Sequence, residues 1–230
     1  MVESPVEKYI IQAKNNFLKS DYDKALKYLN KALFFEKDNE KANYFKGLIY
    51  IRMRKYKESL DPLKIVAEKT KDFLIKNQVH LLIGYIYDYI GNYYKAIEYF
   101  EKVLKAGFES TQTYNALGAL YYKIGEVKKA ISYVKKALSI NRNNYNAMNT
   151  LGYILVDSGI NIDTGLKLIK KSLENDMENP ARLDSMGWAY FKKGEYNLAY
   201  TFLKKALEKL PDDPTINEHM KELSFKISNN

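Results

Sequence analysis

The chain has 230 residues, 46% of them hydrophobic, with five prolines and no cysteine; this is enough apolar content to bury a core, and it excludes disulfides and thiolate chemistry. Its formal charge of +9, from 37 basic and 28 acidic residues, attracts anionic partners. Only Arg52, Arg54, Arg142 and Arg182 carry the guanidinium fork suited to phosphate; the lysine excess beside abundant Asn, Ile and Tyr matches an AT-rich genome equally well.

Residues 1–5 read as an N-terminal tail. Ser4, Pro5 and Glu7 then form a capping box with proline at the first helical position, which starts the first helix by local chemistry. From here a small residue recurs at Ala13, Gly47, Gly84, Gly118, Gly152 and Gly187, with spacings of 34, 37, 34, 34 and 35 residues. The surrounding words repeat too, as "YNALGALYYKIGEVKKAISYVKKALSINRNN" from Tyr114 and "LDSMGWAYFKKGEYNLAYTFLKKALEKLPDD" from Leu183. Each unit reads as helix, tight turn, helix, and six units are placed at 6–39, 40–76, 77–110, 111–144, 145–179 and 180–213.

A glycine inside a helix costs roughly 1 kcal/mol relative to alanine, so five at one register need a packing reason. The second helices supply it with their own small residues, Ala25, Ser59, Ala96, Ala130, Gly165 and Ala199. Gly91, Gly125, Gly159 and Gly194 mark the turns. The second unit departs most: Pro62 either kinks its second helix or makes it begin at Asp61. After Pro214, Ile216, Met220, Leu223 and Ile227 share one helical face, giving a capping helix over 214–227 and a tail over 228–230.

The pattern resembles the tetratricopeptide repeat, with its small residues at the eighth, twentieth and twenty-seventh positions and a proline near the end, here Pro211. The last two units are similar to the closing repeats of large bacterial proteins of this family, many of them exported or lipid-anchored. The resemblance implies an all-α, right-handed superhelical solenoid of six helix-turn-helix hairpins, a non-catalytic scaffold whose first helices line a concave groove for an extended peptide or a partner helix.

Carried onto this chain, the groove positions are Gln78, Gln112, Asn146, Asn115, Asn149 and Asp184, with Tyr85, Asp88, Tyr89, Tyr122, Tyr153, Trp188 and Phe191 as an aromatic lining. The amides fall one repeat apart and suit a peptide's alternating N–H and C=O groups, although Asn and Gln are also ordinary solvent-facing residues. Trp188 reads as a partner pocket, with the capping helix as its other potential cover. The family's carboxylate clamp for chaperone tails is absent from any three consecutive units.

No catalytic or metal site is expected, since His80 and His219 stand in different helices with no second ligand at metal spacing, and no phosphate loop or nucleophile elbow occurs. No cofactor is implied. Lysines 31, 64, 102, 135, 136, 170, 171, 204 and 205 make a ridge on the second helices, the basis for an alternative reading as a binder of nucleic acid or anionic membrane. A self-associating structural subunit is the third reading. As it stands the chain reads as cytoplasmic, and as periplasmic or lipid-anchored had an N-terminal signal been removed.

Overall fold

The computed structural model describes residues 4–229; residues 1–3 of the expected N-terminal tail and Asn230 of the expected C-terminal tail lie outside them. Among the described residues there are thirteen helices and no strand. Six hairpins pair α1 (Pro5–Leu18) with α2 (Tyr22–Phe35), α3 (Glu40–Arg52) with α4 (Tyr56–Lys69), and α5 (Phe73–Tyr89) with α6 (Tyr93–Lys105). They continue with α7 (Thr111–Lys123) and α8 (Val127–Ile140), α9 (Tyr145–Asp157) and α10 (Ile162–Asn175), and α11 (Pro180–Lys192) and α12 (Tyr196–Lys209), before α13 (Pro214–Ser228). They form two compact units, the first ending at Phe108 and the second beginning at Glu109.

Local chemistry starts most helices. Ser4, Asp21, Asn39, Asp72, Asn92, Ser110, Asn144, Asn161, Asn179 and Asp213 each accept a backbone N–H of the first turn. Helices α4, α8 and α12 begin after Lys55, Glu126 and Glu195 without a side-chain cap, so their starts rest on the turn before them and on packing against the first helix of the hairpin. That turn needs one left-handed residue. Glycine supplies it in the last four hairpins, but in the first two Ser20 (φ 59°) and Arg54 (φ 57°) adopt it, at roughly 1 kcal/mol each for the crowded Cβ.

The small residues lie where paired helices cross. A Cβ on Gly152 would sit 2.8 Å from the Gly165 carbonyl oxygen, and one on Gly165 2.6 Å from the Gly152 carbonyl oxygen. Backbone touches backbone here, and nothing flexible can yield. At Gly84 a Cβ would meet only the Phe100 ring, at 3.0 to 3.2 Å. The cores follow from this approach. Val6, Ile10, Leu29 and Ile49 are buried in the first unit, and Val156, Ile169, Leu183, Met186 and Ile216 in the second.

Two features of the second repeat resolve differently from one sequence expectation. Helix α4 does not wait for Asp61: it starts at Tyr56 and runs through Pro62 to Lys69. Leu60, Pro62, Leu63 and Val66 are buried, and that packing holds the turn in which proline has no N–H to donate. The extra residues of the 37-residue spacing are used elsewhere. They lengthen α5 to 17 residues, against 13 in α3, α7, α9 and α11, and α5 begins at Phe73, ahead of the boundary placed at 77.

Gly152→Ala should lower the unfolding free energy by about 2 kcal/mol through overpacking, whereas Gly84→Ala should change it little because the gain in helix propensity offsets a yielding ring contact; urea titration followed by circular dichroism distinguishes them. Arg54→Gly should stabilise by up to about 1 kcal/mol in the same titration, by relieving the left-handed strain.

Candidate functional site

The expected groove residues fall in both units. Gln78, Tyr85, Asp88 and Tyr89 lie on α5 in the first. Tyr85 and Tyr89 border a small apolar cavity of about 200 Å³ with Ile51, Tyr56, Leu82 and Ile86. Tyr89 packs on Tyr56 at 4.2 Å between ring centres, and Tyr85 meets Phe100 edge-on at 4.9 Å. Burial, with the Asp88 charge second, pushes the Tyr85 hydroxyl above its ordinary pKa.

The remainder lie on α7, α9 and α11 of the second unit, where α9 packs between the other two. A cavity of about 680 Å³ opens there, lined by Tyr122, Asn149, Thr150, Tyr153 and Asp157 and bordered by Thr215 of α13. The Tyr122 and Tyr153 rings meet edge-to-face, 6.1 Å apart at 90°. Tyr122 donates its hydroxyl to Asp157 Oδ2. The other carboxylate oxygen accepts from Trp188 Nε1 at 2.9 Å and lies 3.3 Å from the Lys192 ammonium.

Burial pushes the Asp157 carboxyl up, but the hydrogen bonds from Tyr122 and Trp188 and the Lys192 charge more than compensate, so it stays below its usual pKa. The two tyrosines shift the other way. Burial and the Asp157 hydrogen bond raise Tyr122, and burial with the charges of Asp157 and Asp184 raises Tyr153. Both are neutral hydroxyls at physiological pH and present no phenolate nucleophile.

Asp184, Trp188 and Phe191 do not line an open groove, contrary to the sequence expectation. Trp188 is 4% and Asp184 6% exposed, because α13 lies across them. Its His219 stacks on the Trp188 indole, 4.1 Å between ring centres and 14° from parallel. His219 Nδ1 is 2.8 Å from Asp184 Oδ1, and its Nε2 is 3.4 Å from the Tyr153 hydroxyl. Phe191 stacks on Trp188 as well, 4.8 Å between ring centres. The positions expected of the last repeat are thus covered by α13.

The amides also do more than face solvent. Asn149 Nδ2 donates to Ser185 Oγ at 3.0 Å, and Asn146 Oδ1 accepts from Arg182 Nη2 at 3.1 Å, so two of them tie α9 to α11. Gln112 and Gln78 are exposed. Arg182, buried and also bonded to the Ser172 carbonyl at 3.0 Å, and His219 are the residues that sequence reasoning missed. The signal for His219 was its place on the apolar face of the capping helix, three residues after Ile216 and four before Leu223.

Part of the lysine ridge packs on tyrosine rings. Lys31 lies over Tyr9 and Tyr28, Lys64 over Tyr87, Lys102 over Tyr99 and Lys136 over Tyr114, at 4.4 to 5.8 Å from the ring centres. Among the described residues no three His, Cys, Asp or Glu side chains gather as a metal site, and no helix is long and apolar enough to cross a membrane.

Trp188 is the sole tryptophan, so its fluorescence reports directly on α13. His219→Ala should shift the emission to longer wavelength and lower stability by about 2 kcal/mol, through loss of a buried stack and an unpartnered Asp184. For Asp157, a folded pKa below the unfolded one means stability that is present above the ordinary carboxylate pKa and lost as pH falls through the folded value. Asp157→Asn should therefore cost about 2 kcal/mol at neutral pH, and the gap from wild type should close below about pH 4, as measured by urea titrations across that range.

Models of the tetratricopeptide repeat match residues 78–106, 111–144 and 183–208. A TPR repeat-containing protein of Pseudomonas aeruginosa is 36% identical over 61 residues, which is 26% of this chain and 10% of that protein. The match thus spans about a tenth of that relative's length. Among solved structures, a tetratricopeptide repeat protein from Parabacteroides merdae superposes with a TM-score of 0.80 at 17% identity, over 98% of this chain and 88% of that one. YrrB, described as a TPR protein with an unusual peptide-binding site, gives a TM-score of 0.54 at 22% identity over 84% and 97%. With matched repeats in both units and hairpins crossing on paired small residues, the chain carries tetratricopeptide repeats.

Proposed function

We propose that the second unit binds an extended segment of a protein partner in the cavity on α7 and α9, without chemical change to it. The observation that carries this reading is the cavity of about 680 Å³ whose walls include three of the expected groove residues, Tyr122, Asn149 and Tyr153. Tyr122 is held by Asp157, and Tyr153 is backed by His219. Held rings are preorganised, and a ligand side chain inserted between them does not have to freeze them on binding.

The amide chemistry supports the same reading. The Ser185 hydroxyl donates to the Ala181 carbonyl at 2.8 Å, so its oxygen accepts from Asn149 Nδ2. This orients the Asn149 amide and leaves Oδ1 as its acceptor. That oxygen and Asn115 Oδ1 are shielded and have no protein partner. A buried unmade hydrogen bond costs roughly 1–3 kcal/mol, and a peptide N–H that displaces the shielding side chains recovers it. Proteins of this repeat family generally mediate protein–protein interactions, and a similar fold belongs to a protein described as having a peptide-binding site.

Peptides selected from a random library on the intact chain should lose about tenfold or more in affinity when Asn149→Ala is combined with Tyr153→Ala, since each loses a central contact. Circular dichroism establishes that the variant is folded. Peptides that bind the double variant as well as wild type would remove the cavity as the site.

A further inference from the structure

The turn between α3 and α4 concentrates positive charge. It reads Arg52, Met53, Arg54, Lys55, with Lys57 just after it, and holds two of the chain's four arginines. Arg52, Arg54, Lys55 and Lys57 are exposed, and none has a carboxylate partner among the described residues. Set against them are Glu58 and, on α5, Asp88, which is already partnered. The turns on either side are balanced: Lys19 and Lys24 are matched by Asp21 and Asp23, and Lys95 pairs with Glu98 at 2.8 Å.

The same turn joins two walls of the first-unit cavity. Ile51 and Tyr56, the residues on either side of it, line the cavity with Leu82, Tyr85, Ile86 and Tyr89. No wall residue carries a charge or an amide side chain. A volume of about 200 Å³ lies below the roughly 300–1,000 Å³ of a pocket for a whole small molecule, and suits one large apolar side chain. Tyr85 and Tyr89 are 45% and 69% exposed, so the rim stays in water until something covers it. Arg54 also holds the left-handed conformation (φ 57°) that glycine supplies in the last four hairpins. Ser20 shares that strain, so strain alone assigns nothing; Arg54 differs in placing an unpartnered guanidinium two residues from the cavity wall at Tyr56.

We propose that the first unit binds a protein segment in which one large aliphatic or aromatic side chain enters this cavity and neighbouring Asp or Glu residues meet the basic turn. The apolar walls favour the anchor by burial, and the two guanidinium groups favour carboxylates, which they take bidentately. A nucleobase fits less well, because its edge donors and acceptors would be buried unpaired against Ile51, Leu82 and Ile86. A second copy of the chain brings a net charge of +9 to a basic turn, and like charge opposes it. The inference shares with the proposed function only the class of partner, since its site lies in the other unit.

The test is fluorescence anisotropy of the intact chain with short labelled peptides that carry Leu, Met or Phe at the centre and Asp and Glu on both sides. Matched peptides have Lys flanks or a central Ser. The acid-flanked apolar peptides should bind, less tightly as salt is raised, and the matched sets should bind about tenfold more weakly or worse. Arg54→Gly should weaken them by about threefold, the scale of an exposed ion pair, while raising stability, so that lost binding there is not lost folding. Tyr89→Ala, at an exposed ring, should weaken them by about tenfold, and Asn149→Ala combined with Tyr153→Ala should leave them unchanged. Equal binding of the lysine-flanked peptides overturns the proposal, as does wild-type affinity in Arg54→Gly and Tyr89→Ala, or a single-stranded oligonucleotide binding where no peptide does. Loss confined to the Asn149, Tyr153 variant moves these peptides to the second-unit cavity, which sinks this inference and leaves the proposed function standing. Sedimentation velocity showing dimers that Tyr89→Ala dissolves gives the cavity to a second copy and overturns it likewise.

Discussion

The close crossing of the two helices in each hairpin is the contact on which the rest of this molecule depends. Gly152 and Gly165 bring backbone against backbone, and Gly118 crosses α8 with a would-be Cβ 3.1 Å from the Ala130 carbonyl oxygen. At such separations the register of one helix against the other leaves little freedom, so the large residues on either side of the crossing are placed without choice. Stacking one hairpin on the next then presents the outward positions of α7, α9 and α11 on one face of the second unit.

On that face the chain supplies part of its own cover. His219 lies on the Trp188 indole, takes the Asp184 carboxylate and reaches Tyr153. The apolar side of the last hairpin is removed from water by Ile216 and Leu223 of α13, while Lys221 faces out. The cavity that stays open begins where α13 starts, at Thr215. Its floor is stiffened from behind by a continuous chain of contacts running from Tyr122 through Asp157 and Trp188 to His219.

The first unit differs in the character of its surface. Its α5 face has an apolar cavity bordered by Tyr85 and Tyr89, where the cavity on α9 is bordered by Asn149, Thr150 and Asp157, and its charge is more positive. Its one irregular spacing creates an exposed apolar turn without disturbing the hairpin, since the added residues enter at a helix N-terminus, where a new cap restores the hydrogen bonding. An insertion inside a crossing helix would have shifted every small residue out of register.

Helix pairing, turn positions and the capping helix were legible in the linear chain because each rests on residues within one repeat: a capping Asn, a left-handed glycine, a small residue at the crossing. Even there, Ser20 and Arg54 show that packing imposes a turn conformation the local residues do not favour, and Pro62 that it carries a helix through a residue expected either to kink it or to delay its start to Asp61. The groove was legible only as a set of positions. Which of them stay open was decided by contacts between residues far apart in sequence, His219 with Asp184 and Trp188, Asp157 with Tyr122, and Asn146 with Arg182. Repeat periodicity encodes what each hairpin needs from itself and its neighbour, whereas α13 lies outside the period and its pairing is set by packing in three dimensions alone.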